Sequence, residues 1–111
     1  MTTARILAIV ATECPPEMDA NFNQWYNEVH IPMLMKYTGI KKVTRYKAVA
    51  APGVKPTYLA IYEYDTQESL NGQSASPEFK AAIEEMENTR KSLTFDLKWA
   101  INCEPINIWG K

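Results

Sequence analysis

The chain has 111 residues, of which 46% are apolar and 23% charged, and its formal net charge is −1. That length leaves room for one hydrophobic core and not two. The near balance of charge excludes the broad basic surface that nucleic acid or an anionic membrane demands. The apolar run Ile6 to Ala11 is too short for a membrane span and reads as a strand rather than a signal peptide. Cys14 and Cys103 stand alone, with no CxxC spacing and no nearby histidine, so neither a zinc site nor a disulfide framework is indicated and a reducing cytoplasm is expected. A transition-metal site would have to rely on carboxylates, and only four glycines exist, none in a phosphate-binding loop. No metal, nucleotide or other cofactor is therefore expected.

Ala4 to Thr12 (ARILAIVAT) is a β-branched apolar run stopped by Cys14-Pro15-Pro16, which predicts a buried strand. The period then changes. Phe22, Trp25, Tyr26, Val29, Met33 and Leu34 fall three and four apart on one helical face, and Gly39 reads as the helix stop. Lys41 to Val49 is a second strand, Ala51-Pro52-Gly53 a turn, and Thr57 to Tyr64 (TYLAIYEY) a third strand. Asp65 or Thr66 caps a short helix to about Asn71, with Glu68 placed for a capping box with Asp65. Ser76-Pro77 starts a second long helix, Ser as cap and Pro at the first helical position, running to about Arg90. Its inner face carries Phe79, Ile83 and Met86, and its outer face Lys80, Glu84, Glu85 and Glu87. Leu93 to Glu104 alternates and makes the last strand, with an irregular middle. The order β-α-β-β-α-β predicts an α+β ferredoxin-like sandwich, a four-stranded antiparallel sheet with its helices on one face.

Tyr58, Ala60, Tyr62 and Tyr64 lie on one side of the third strand, Leu59 and Ile61 on the other; Leu7 and Ile9 likewise oppose Ile6, Ala8 and Val10. Helices cover one side of the sheet only, so the second apolar side needs a cover, and a homodimer packed sheet to sheet supplies it.

His30 is the only histidine, and Pro32 follows two residues later within the helical pattern WYNEVHIPML. Proline removes the hydrogen bond to the carbonyl of Glu28 and crowds that turn, so the helix either ends near His30 or continues with a kink. His30 falls one turn from Tyr26 and Leu34, at the border of the apolar face. There its ring is either a hydrogen-bonded boundary residue or a general acid/base aimed at the helix–sheet interface. Tyr46, Tyr62 and Tyr64 are candidates to line the same pocket, Tyr46 and Tyr62 being favoured to hold an oxyanion. Trp25 belongs to the core, with scope to stack on a flat ligand. Lys36, Lys41, Lys42, Arg45 and Lys47 form a basic run that reads as a solvated strand, with Arg45 the candidate to meet a substrate carboxylate.

WYNEVHIPMLMKYTGIKKVTRYKA followed by PTYLAIYEYDTQESL resembles the EthD-like branch of the dimeric α+β barrel superfamily. The element W-Y-x-x-V-H-x-P carries most of the resemblance, which extends from about Ile6 to Phe95; INCEPINIWGK is less typical. The resemblance implies one EthD-like domain over residues 1–111, a ferredoxin-like protomer pairing with a second copy into a barrel, and a pocket in each protomer. It implies a cofactor-independent enzyme acting on a small cyclic, polyketide- or lactone-like substrate by isomerisation, cyclisation or dehydration. His30, Tyr46 and Tyr62 would be its catalytic groups, and Trp25, Tyr26, Arg45 and Tyr64 its substrate contacts. The alternatives are a cofactor-free monooxygenase acting on a phenol or anthrone, and a non-catalytic small-molecule or heme carrier.

Overall fold

The computed structural model describes residues 4–111. Four strands, β1 (Ile6–Glu13), β2 (Ile40–Ala48), β3 (Thr57–Tyr64) and β4 (Asp96–Cys103), form one sheet in the order β2-β3-β1-β4, every neighbouring pair antiparallel. Between β1 and β2 the chain makes a 3-10 turn (Pro16–Met18), α1 (Asp19–Trp25), a π-turn (Tyr26–His30) and α2 (Ile31–Leu34). Between β3 and β4 come α3 (Gln67–Gly72), a 3-10 turn (Gln73–Ala75) and α4 (Pro77–Thr89). This is the ferredoxin-like α+β arrangement expected.

Local chemistry explains most boundaries. Ser76 accepts a hydrogen bond from Phe79 N–H at 3.1 Å, and Pro77 opens α4 as predicted. Thr66, not Asp65, caps α3: its hydroxyl accepts from Ser69 N–H at 3.0 Å, and the expected Asp65–Glu68 box does not form. Pro52 and Gly53 occupy the centre of a turn closed by Val54 N–H to Ala51 O at 3.1 Å, and Gly53 takes φ 80°, a value that costs a Cβ-free residue little. Gly39 is not the helix stop, because α2 has already ended at Leu34. A Cβ at Gly39 would sit 2.5 Å from the ring of Tyr37, so glycine is needed there for close approach. The Tyr37 hydroxyl donates to Ser69 O at 2.7 Å, tying the exit of α2 to α3.

Register sorts the side chains. Tyr58, Ala60, Tyr62 and Tyr64 of β3 are buried beneath the helices, opposite Thr12, Val10, Ala8 and Ile6 of β1. Leu59 and Ile61 face the other way with their partners Ala11 and Ile9, and β4 adds Trp99 and Ile101 to this open face. Two irregularities interrupt the alternation. Leu97 pairs with Thr12 and Trp99 with Ala11, leaving Lys98 as an extra residue, the expected irregular middle of β4. In β2, Ile40 pairs with Tyr64 but Lys42 with Glu63, which leaves Lys41 over and inverts the parity of the rest of the strand.

Candidate functional site

The π-turn builds the site. Pro32 has no N–H and its ring displaces the preceding turn, and the helix answers by widening rather than breaking. Ile31 N–H bonds back five residues to Tyr26 O, and the helix continues through Leu34. An α-helix would separate residues five apart; the wider turn lays the Trp25 ring against His30 with centroids 4.9 Å apart and planes 26° apart. Tyr26 meets the imidazole edge-on at 5.0 Å, on a flank next to the indole, the Trp25 and Tyr26 rings being themselves 5.6 Å apart. His30 is thus packed against two aromatics and is 7% exposed.

Trp25 is held in turn by Glu85. The indole N–H donates to Glu85 Oε1 at 2.9 Å, and Thr89 Oγ1 donates to the other carboxylate oxygen at 2.6 Å. Glu85 is therefore half-buried and engaged, which corrects its assignment to the solvated face of α4. Nothing local marks it: the only sequence clue is that a buried indole N–H requires an acceptor.

His30 borders a cavity of about 210 Å³ between the helices and the sheet. Its floor is Ala8 and Val10 of β1 and Ala100 of β4, with Tyr62 alongside; α4 supplies Phe79, Ile83 and Met86 as its roof. The space exists because the floor residues are small and α4 packs chiefly on α2 and the neighbouring turns. Exposed Arg90, Leu97 and Ala100 mark the mouth at the β4 edge. Arg90 stacks over Phe95 at 4.7 Å and donates to its carbonyl at 2.9 Å.

Polar atoms in this lining are few, and two lack partners: His30 Nδ1 and Gln73 Oε1 are buried without a hydrogen bond. Such groups are uncommon in folded proteins. Burial pushes the His30 pKa down to about 4, with Arg45 adding to that effect and Glu85 opposing it, so the imidazole is neutral at pH 7. The Tyr26 and Tyr62 hydroxyls lie 3.4 Å apart. Burial raises both phenols, Tyr62 strongly, so they are neutral donors and not bases.

The predicted site residues separate into three groups. His30, Tyr26 and Tyr62 are brought together at the cavity, with Trp25 stacked behind the imidazole. Tyr64 is buried on the same sheet face but borders an adjoining depression, its hydroxyl unpartnered there. Arg45 faces the helices yet does not line the cavity. Its guanidinium lies 4.3 Å over the Tyr26 ring and donates to Asn27 Oδ1 at 2.7 Å and Asn23 Oδ1 at 2.9 Å. It braces α1 and the π-turn, while Arg90 holds the position at the mouth that was expected of Arg45. Tyr46 is not brought to the site. The β2 bulge turns it onto the open face, opposite Leu59 and 55% exposed, so within one chain it cannot reach a ligand beside His30. Gln73, Arg90 and Glu85 carried no motif that sequence reasoning could use. Among the described residues no cluster of three or more His, Cys, Asp or Glu side chains is placed to hold a metal ion.

A ferredoxin-like protomer with a small-molecule-sized cavity beside its helix histidine defines the class. The chain belongs to the family described as a domain of unknown function, DUF4286, which it matches over residues 5–96. No curated protein matches it. Among solved structures it is similar to an ethyl tert-butyl ether degradation (EthD) family protein from Bacillus halodurans, with 22% identity, TM-score 0.65, and 91% of this chain and 99% of the other covered. It is similar to a dimeric ferredoxin-like protein from an uncultured marine organism, with 12% identity, TM-score 0.68, and 96% and 99% covered. A third likeness is to a monooxygenase of Streptomyces coelicolor, ActVA-Orf6, solved with nanaomycin D, with 10% identity, TM-score 0.65, and 97% and 93% covered. At these identities the likeness is one of fold, and it bears out the EthD-type architecture read from the sequence. Among the described residues no helix is long and apolar enough to cross a membrane.

Proposed function

We propose that the chain is a cofactor-independent enzyme that moves a proton on a small cyclic substrate, polyketide- or lactone-like, held in the cavity beside His30. The observation that carries this reading is the buried, unpartnered Nδ1 of an imidazole packed against two aromatic rings and bordering an apolar space. His30 accepts a proton from carbon or oxygen of the substrate, and the neutral Tyr62 and Tyr26 hydroxyls donate to the oxyanion that develops. A free base with a pKa near 4 is weak at neutral pH. The substrate changes that: an enolate forming beside the ring favours the imidazolium, so base strength rises as the reaction proceeds. The test is deuterium exchange from heavy water into cyclic 1,3-diketones, anthrones and butenolides, followed by NMR. His30→Ala is expected to slow exchange by about 10²- to 10⁴-fold with its circular dichroism unchanged; equal rates in the two proteins refute the assignment.

A second reading keeps the cavity and removes the turnover. A neutral acceptor and two phenol donors in an apolar space suit recognition of a hydroxylated ligand, and saturable binding with no exchange across the panel favours it. Neither reading invokes a metal, heme or nucleotide.

The open sheet face bears on assembly. Leu7, Ile9, Leu59, Ile61, Trp99 and Ile101 form one apolar surface, Trp99 and Ile101 being exposed in the single chain. Packing against the same face of a second copy removes it from water. Sedimentation at micromolar concentration should give twice the 12.7 kDa chain mass, and a monomeric mass overturns the homodimer.

A further inference from the structure

We infer that Gln73 is a specificity-determining residue of the cavity, and that the ligand carries a second hydrogen-bond donor, a hydroxyl or N–H, at the end remote from the oxygen that meets the tyrosines. This deepens the reading given above and rests on it. Three observations support it.

The first is the orphaned carboxamide oxygen. Gln73 Oε1 is buried with no donor, and it borders the same cavity as His30. An unmet acceptor in an apolar wall opposes folding unless something satisfies it. Trp25 and the half-buried Tyr37 do find partners at long range, in Glu85 and Ser69, while Tyr64 Oη and Arg45 Nε, the other orphaned atoms, lie outside this cavity's lining.

The second is position. His30 and the tyrosine pair come from the π-turn and β3, whereas Gln73 comes from the 3-10 turn that joins α3 to α4. Gln73 also borders the adjoining, more open depression, so it stands where the enclosed space meets the outside. The turn is fixed on the side leading into α4: Ser76 Oγ donates to Gln73 O at 2.6 Å, and Ser76 N–H donates to the same carbonyl at 3.0 Å. The side chain thus projects from an anchored backbone, as a selecting group should.

The third is size. A dry cavity of about 150 Å³ admits benzene, so the 210 Å³ here exceeds the need of a single ring and accommodates a ligand long enough to meet both ends. A ligand with one polar end satisfies His30 and leaves Gln73 unmet. A two-ended ligand satisfies both, and rejection of the analogue that lacks the second donor follows from the group left unpaired.

Calorimetric titration with 2,7-dihydroxynaphthalene and 7-methoxy-2-naphthol tests this, since the methyl ether keeps the ring skeleton and both oxygens, loses the donor and adds one methyl, whose bulk the Gln73→Met comparison controls for. The diol is expected to bind the wild-type chain at least tenfold more tightly. In Gln73→Met the preference should fall below twofold, with ether affinity unchanged and so reporting an intact fold. Equal wild-type affinities for the two ligands, both abolished in His30→Phe, overturn the role of Gln73 and leave the cavity reading standing. A preference that persists in Gln73→Met also overturns it. No binding of either naphthol, or binding indifferent to His30→Phe, overturns the cavity reading and this inference together.

Discussion

Two regions between the helices and the sheet differ in what the strands supply. Around Phe22 the space is filled with aromatic rings: Phe95 at 5.1 Å, Tyr26 at 5.5 Å and Tyr58 at 5.9 Å, each inclined to the Phe22 ring. Over Ala8, Val10 and Ala100 the floor is low, the roof is far, and a cavity remains. Both regions are apolar, and both lie on the helix-covered face of the sheet. Large side chains make the first a source of stability, whereas small ones make the second a place where a ligand replaces missing packing. His30 sits at their boundary, its ring packed against Trp25 and Tyr26 and bordering the cavity.

The comparison breaks most readily on its packed side. Phe22→Ala should cost about 3–5 kcal/mol in urea unfolding, because the fully buried ring leaves a void in a rigid aromatic cluster. A loss under about 1 kcal/mol would mean that the cluster is no better packed than the cavity. Acid probes the boundary with a smaller effect. His30 has a pKa of about 4 in the native chain against 6.5 when unperturbed. The unfolded chain therefore binds more protons between those values. The stability that neutral His30 preserves is complete above pH 6.5 and is lost as pH falls through 4, roughly 3 kcal/mol in all. His30→Gln should remove that part of the pH dependence. An unchanged acid profile in the variant would show the ring to be less buried than its two aromatic neighbours imply.

The sequence made the fold legible where a periodicity or a cap is local. The alternation of TYLAIYEY grouped four residues of β3 on one side, the side that lies beneath the helices, and Ser76-Pro77 began α4 at the right residue. His30 with Pro32 was legible as a disturbed helix facing inward, although the widened turn was not, because Pro32 permits a kink or a break equally. Tyr46 and Arg45 show where parity reasoning fails. One extra residue at Lys41 exchanges the two faces of β2, and no side chain in IKKVTRYKA announces it. Gln73 and Arg90 were out of reach for a different reason. They join the site only through tertiary packing, from a 3-10 turn and a helix terminus remote in sequence from His30.

The five-residue reach from Ile31 to Tyr26 means that this helix holds one amino acid more than a regular helix of its height needs. Remove the surplus position and the standard winding returns with the residues beyond it kept near their places. Leu34, now buried, would keep its seat, while His30 would lose its place against Trp25. A surplus residue of this sort lets a chain aim one side chain without moving the scaffold on either side of it.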